Sequence, residues 1–364
     1  MMKELLKQKY VLLPIVFGWF LYIGLLVQLG QPFSNHWPLM AVMVLGSFVA
    51  GATAAGGGAI AFPALTLLLT VAPADARDFA LCIQSVGMTA ASMLIIYRAI
   101  PVDWATLRLL ALPGLMGLLA GNQWIVPMLD ARRAKLSFGT IWFAFAIALY
   151  FVNATANYHR REKIDLSRGK KKAFIIVTAF CGGLLTACFG SGADLAIFSV
   201  IVLYFGLCEK VATPTSVIAM AFLSILGTAT RFLTSTVTAQ TMDRWIACIP
   251  VVIIGAPLGA YVCSILSRQK VVNLLIFILC LQFAGVLFVL TPTFSESIML
   301  TFVLASGLIF FRSLSRAPQE SEDIGEELMT VADHQGAELR PNNEAQYQVE
   351  TSDQEAPLLS QRRS

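Results

Sequence analysis

Charge is what this chain has least of. Asp, Glu, Lys and Arg make up 13% of its 364 residues, while 57% are hydrophobic. Soluble domains carry about 25% charged residues. A water-facing surface cannot be covered at this charge density, which excludes a soluble protein and places the chain in lipid. Histidine is almost missing too: His36, His159 and His334 all fall in loops or the tail. No lysine lies deep in an apolar run. An intramembrane enzyme needs paired ionisable groups or a nucleophile with its base at depth, so the sequence argues against an enzyme. No GxxxxGK[ST] phosphate loop is present, which argues against an ATP-driven pump. The seven cysteines show no zinc or redox spacing and read as small buried hydrophobes. No cofactor and no metal is expected. The net charge of +4 comes from residues between apolar runs, where membrane topology puts them, so no nucleic-acid partner is implied.

What the chain has is a series of apolar runs near the ~20 residues that span a bilayer. They are Val11–Leu29, Phe79–Tyr97, Leu107–Val126, Leu136–Ala156, Val211–Leu233, Trp245–Leu266, Val271–Leu290 and the shorter Ile298–Phe311. Val11–Leu29 is long for a signal peptide and reads as a retained helix. Two further runs, Leu39–Val71 and Ala173–Leu207, are too long for one span. Leu39–Val71 as a single helix would reach about 50 Å against a core of about 30 Å. Gly56, Gly57 and Gly58 interrupt the first, and Gly190, Ser191 and Gly192 the second. Each run is expected to form two shorter helices joined at a glycine break. Broken backbone at membrane depth is tolerated only inside protein or along a wet cavity.

The two breaks correspond. With Gly56 over Gly190 and Gly58 over Gly192, other pairs follow in the same order: Ser85 with Ser216, Arg98 with Arg231, Asp103 with Asp243, Gly117 and Gly121 with Gly255 and Gly259. Their shared order reads as an internal repeat. If each broken segment folds back or crosses twice, Lys3, Lys7, Lys9, Arg98, the linker His159–Lys172, Lys210, Arg268, Lys270, Arg312 and Arg316 all share the cytoplasmic side. The positive-inside tendency favours that arrangement. Arg77, Arg132, Arg133, Lys135, Arg231 and Arg244 then lie outside. The halves are oppositely oriented, as in many secondary transporters. The expected fold is therefore all-α and polytopic: two inverted repeats, each with a glycine-broken helix or re-entrant hairpin, plus flanking helices. The expected segments are an N-terminal helix and loop (1–37), a first repeat (38–157), a basic cytosolic linker (158–171), a second repeat (172–290), a final membrane helix (291–316) and a disordered polar cytosolic tail (317–364). Both termini are expected in the cytoplasm. In the tail, "EAPLL" at Glu355–Leu359 resembles an acidic dileucine signal, so a sorting adaptor is a candidate partner and a plasma or endolysosomal membrane the candidate location. Chance within a biased tail is the other reading.

Chemistry falls on few residues. The amino end of a helix after a break offers free N–H groups and a partial positive charge, a ready anion site. Gly56, Gly57, Gly58, Gly190, Ser191 and Gly192 are thus candidate substrate-lining residues, with Pro63 just into the helix after the first break. The alternative is that the glycines only permit close packing. Asp194 is the unexpected ionisable group at depth. It is either a carboxylate capping a helix amino end or a proton carrier. Ser85, Thr89 and Ser92 share one helical face, and Ser85 and Ser216 recur in both halves as candidate anion donors. Interhelical hydrogen bonding is the alternative. Arg231, near the end of its helix, is the best cation for bidentate anion recognition; snorkelling to the interface is its alternative.

The run "GATAAGGGAIAFPAL", then "ALCIQSV", "VDW" and "GLMGLLAG", all echoed in a second half, resembles the sulfite exporter TauE/SafE family over roughly Pro38–Leu290. The second half departs from the first: Ser191 splits the glycines, Asp194 is unusual and Pro63 has no counterpart. The resemblance implies transport of small sulfur-containing anions, such as sulfite or sulfoacetate-like sulfonates, linked to protons. The residues themselves support an inverted-repeat carrier for a small anion in a lipid bilayer. An anion channel and a non-transporting receptor are the alternatives.

Overall fold

The computed structural model describes residues 33–56, 71–154, 169–234 and 236–315, with positions 24, 65, 69, 161, 163, 164 and 166. The expected helix Val11–Leu29, the candidates Gly57, Gly58 and Pro63, most of the basic linker, and the tail with its dileucine sequence lie outside the described residues. The described helices are α1 (Phe33–Ala52), α2 (Pro73–Tyr97), α3 (Trp104–Ala120), α4 (Ala131–Ala154), α5 (Gly169–Phe189), α6 (Ala193–Leu203), α7 (Glu209–Leu233), α8 (Ala239–Ile265), α9 (Arg268–Leu290) and α10 (Phe294–Ser315). Eight helices among the described residues are long and apolar enough to cross a membrane; α1, counted from His36, and α6 are shorter. This is a nearly all-helical, multi-pass membrane architecture. Large apolar side chains such as Leu112, Phe277, Phe288 and Phe302 are exposed, as lipid-facing surface requires.

Local chemistry sets the helix ends. Pro73 opens α2, where its missing N–H costs nothing. The Asp103 carboxylate caps α3 by accepting from Thr106 N at 3.2 Å, and Thr238 caps α8 through Thr241 N. The last span is longer than its apolar run suggested. Glu296 accepts from Thr293 N at 2.8 Å and pairs with Arg132, which lets α10 begin at polar residues.

The second long run divides at its glycine break, as expected, but into two helices of unequal length. With 21 residues, α5 is about 31 Å long and spans unaided; α6, with 11, is about 16 Å. The chain folds back at the break. Ala193 sits against Gly182 and its N–H bonds Thr186 Oγ1 at 3.1 Å, while the Tyr204 ring after α6 lies 4.6 Å from Phe174 near the start of α5. So α6 returns toward the end from which α5 set out. Every residue of α6 is buried.

The helices pair between the two parts of the chain, and α8 also packs on α2. α1 packs on α8 and α5 on α3; α2 meets α7 centrally, and α4 meets α9. The matched glycines serve those pairings alike. A Cβ on Gly117 would lie 2.0 Å from the Phe180 carbonyl oxygen of α5, and one on Gly259 2.0 Å from the Phe48 carbonyl oxygen of α1. Both interfaces bring backbone onto backbone, as small-residue membrane interfaces do. α2 and α7 run opposite ways: Asp78 near the start of α2 pairs with Arg231 near the end of α7.

Polar contacts sort the chain ends into two groups. At one end Arg161 bonds Gly206 and Cys208, Ile164 N donates to Asp103, and Arg268 bonds Asn153 and Glu209. At the other, Asp78 meets Arg231, Thr238 meets Asp75, and Arg132 meets Leu290 and Glu296. The cysteines are free; Cys82, Cys248 and Cys263 are buried, but Cys181 is exposed on α5, against the reading of all seven as buried hydrophobes.

Gly259→Val should drive α1 and α8 apart and destabilise the protein by about 1–3 kcal/mol, the usual range for overpacking. Gly285→Val, where a Cβ meets nothing within 4 Å, serves as the control. Thermal unfolding in detergent measures both; equal melting temperatures would refute the backbone contact.

Candidate functional site

The breaks meet inside the protein. Gly190 and Gly192 take φ of 74° and 126°, a region side-chain-bearing residues avoid. A Cβ on Gly190 would also strike the Arg77 carbonyl oxygen at 2.3 Å. Gly56, at φ 67°, ends the turn after α1. A Cβ there would lie 2.0 Å from Asp194 Oδ2 and 3.1 Å from Gln84 Oε1. Gln84 on α2 joins the group by donating from Nε2 to the Gly190 carbonyl at 2.7 Å and to Ala80 at 2.9 Å. Gly56, Gly190, Gly192, Asp194 and Gln84 therefore form one buried cluster, drawn from both halves.

The amino end of α6 is filled by the chain's own groups. Asp194 Oδ1 accepts from Gly192 N at 3.2 Å and from Leu195 N at 3.0 Å. Ala193 N donates to Thr186 Oγ1, and Ala196 N to the Gly192 carbonyl. The carboxylate stands where a bound anion would stand, and the helix dipole favours it there. Asp194 Oδ2 and Gln84 Oε1 are buried with no hydrogen-bond partner. Ser191 is buried beside them.

Arg231 lies on the other side of Gly190. Its Nη2 donates to Asn122 Oδ1 at 2.7 Å, and its Nε is 3.3 Å from Asp78 Oδ1. Arg77 Nε donates to the same Asp78 oxygen at 3.2 Å. Asp78 and Arg231 are buried, so Arg231 is held inside and does not snorkel. Two guanidiniums share one carboxylate, which leaves an excess positive charge next to the break. Arg98, its counterpart in the first half, sits over the Tyr261 ring at 5.1 Å, a cation–π contact.

Ser85 and Ser216 donate their hydroxyls within their own helices, to Cys82 O at 2.7 Å and Thr213 O at 2.9 Å. Those protons are committed locally. Ser216 is fully buried and Ser85 partly so.

The sequence reading missed Asp78 and Glu209. Each is a buried acid near the start of a long helix, Glu209 in the first turn of α7 and Asp78 one turn into α2. Each faces arginine: Asp78 meets Arg231 and Arg77, and Glu209 meets Arg268 at 3.2 Å. The signal was present, since Asp78 precedes Ser85 by the same interval as Glu209 precedes Ser216.

Apolar spans gathered around a short, buried, broken-off helix define a membrane protein of the transporter class. Residues 39–287 match the family model of the sulfite exporter TauE/SafE proteins, and the chain belongs to that family, whose members are membrane transporters. No curated protein and no solved structure matched.

Removing one member of a buried ion pair strands the other, at about 3–5 kcal/mol. Asp78→Ala should therefore destabilise the protein by about that much, and Arg133→Ala, in an exposed pair, by under about 1 kcal/mol. Asp78→Ala combined with Arg231→Met should recover part of the loss. Chemical or thermal unfolding of the four proteins reads the comparison, and additive losses would count against the pairing.

Proposed function

We propose that this protein is a secondary carrier for a small sulfur-containing oxyanion, with sulfite and sulfoacetate-like sulfonates as the first substrates to try. The observation that carries the reading is the meeting of Gly56 with Asp194 in the interior. Two backbone breaks from different halves of the chain converge on one buried point. Broken helices paired at a midplane site are how many carriers hold and pass a substrate.

In this reading the two halves form an inverted repeat, supported by the exchange of helix pairings and the opposite course of α2 and α7. Gly56, Gly57, Gly58, Pro63, Ser85, Gly190, Ser191, Gly192 and Ser216 line the route, and Arg231 supplies the charge. The amides of α6 are engaged by Asp194 and Thr186. First recognition of the anion thus falls to Arg231 and Arg77, which outnumber Asp78. A guanidinium fork matches the paired oxygens of sulfite or a sulfonate. The buried site excludes water, which strengthens that attraction. Proton linkage belongs to the same reading, with Asp194 as cap, carrier or both. The membrane is the plasma or an endolysosomal one, with both termini cytoplasmic and the tail available to a sorting adaptor.

The full chain in liposomes, loaded with unlabelled anion and offered radiolabelled sulfite, sulfoacetate, sulfate or a carboxylate, tests the reading. A carrier saturates and shows counterflow with sulfite or sulfoacetate; a channel shows neither. Arg231→Gln should weaken apparent anion affinity about tenfold, the effect of one lost charge-assisted contact of about 1.4 kcal/mol. Arg133→Gln, exposed at the membrane edge, should leave it unchanged. No saturable flux of any of the anions would sink the proposal.

A further inference from the structure

We propose that Asp194 divides its two oxygens between two tasks: Oδ1 caps α6, and Oδ2 carries a proton donated to Gln84 Oε1 across the junction of the breaks. The position of the proton follows from geometry alone. What the proton does during transport rests on the carrier reading above.

The orientation of Gln84 is fixed by its bonds. An amide nitrogen has two hydrogens, and Nε2 gives them to the carbonyls of Ala80 and Gly190. Turning the amide over would set an oxygen against two carbonyl oxygens. Oε1 must therefore face the other way, and it has no partner. Asp194 is as constrained: Oδ1 takes the N–H groups of Gly192 and Leu195, and Oδ2 has no partner either. Both orphan oxygens lie within 3.1 Å of the place a Cβ on Gly56 would occupy. Two buried acceptors that share a point without a donor are costly, and an ionised carboxylate there is costlier. One proton on Oδ2 removes both penalties. A metal cation fits less well, because the site abuts the positive end of α6.

Charged and titratable groups on the surrounding helices are engaged elsewhere or set apart. On α2, Arg77 and Asp78 pair with each other and with Arg231 of α7, while Asp75 meets Thr238 and Cys82 lies beside Asp78. On α7, Glu209 pairs with Arg268, and Lys210 lies at the same end. On α4, Arg132 pairs with Glu296 and Arg133 with Asp130, with Lys135 a turn further on. On α5 there are Cys181, Cys188 and the lysines at 170–172, on α1 only His36, and from Gly57 to Thr70 none. Only backbone N–H groups and burial act on the Asp194 carboxyl.

Release breaks the Oδ2–H bond, delivers H⁺ to water and leaves a carboxylate facing Gln84 Oε1. The two acceptors then repel, which drives α2 and the amino end of α6 apart beside Gly56. Proton occupancy thus biases whether the junction is closed.

Infrared spectroscopy of the full-length protein in lipid vesicles tests the assignment without any transport. A C=O stretch of a buried, protonated carboxyl should be present at neutral pH. It should vanish in Asp194→Asn and move to higher frequency in Gln84→Leu, which removes the acceptor. No such band, or a band that survives Asp194→Asn, overturns the proposal. Asparagine keeps an oxygen for the cap and offers N–H to Gln84, so Asp194→Asn should fold. Wild-type thermal stability should fall as pH rises, because the folded state holds a proton the unfolded chain does not; in Asp194→Asn that fall should disappear. A fall unchanged in the variant counts against it. The same vesicles read sulfite counterflow. The band without sulfite flux upholds the proton site and sinks the sulfite reading, and sulfite flux without the band does the reverse.

Discussion

In hydrocarbon, a backbone amide that leaves a helix has no water to turn to. Between Phe189 and Ala193 several do so at once. Their needs are met by a carboxylate oxygen from Asp194, a hydroxyl from Thr186 and an amide from Gln84 on a different helix. Much else in the molecule serves that break. α6 must be wrapped on all sides, and it is. α2 must run close enough for Gln84 to reach across. Gly190 must let the Arg77 backbone approach within a distance no side chain permits. An arrangement this costly to enclose is the basis for proposing it as the working centre.

Charge is handled with the same economy. Two of the buried acids each have a definite basic counterpart. Asp78 holds two arginines near the break; Glu209 holds Arg268 together with Asn153 at the opposite end. Asn153 begins an N-glycosylation sequence by its letters, yet its side chain is committed to Arg268 and Leu149. The Asp103 carboxylate ties the linker to the start of α3 through Ile164. Both ends of the membrane part are thus fastened by polar contacts, while the middle is apolar except at the break.

Much of this was legible in the sequence. Runs of apolar residues gave the spans, because length and hydropathy are nearly sufficient in lipid. Glycine spacing marked the break at Gly190–Gly192, and the recurrence of Gly117 and Gly121 as Gly255 and Gly259 was read only as a sign of a repeat, not as the α1–α8 and α3–α5 interfaces those glycines serve. The family resemblance stood on the same letters. Less legible was the unequal division of the second run. Nothing in "LTACFGSGADLAIFS" says that α5 spans alone and α6 folds back beside it; that depends on Ala193 finding Gly182 and Tyr204 finding Phe174. Gln84 stood out only as a polar residue on an apolar helix, because its partners are carbonyls far away in the chain. Asp78 and Glu209 were hidden by their position, where an acid at a helix start is ordinarily unremarkable.

The interfaces of α1 with α8 and α3 with α5 differ in kind from the rest. Where side chains mesh, one helix can slide by letting rotamers change. Where the backbone of Gly259 rests on Phe48, and that of Gly117 on Phe180, there is no such layer to rearrange. Each couple joins one helix of the first half to one of the second and behaves as a welded beam, so any rocking is between the two couples, through the side-chain-lined seam of α2 and α7 on which Arg231 and Asp78 lie.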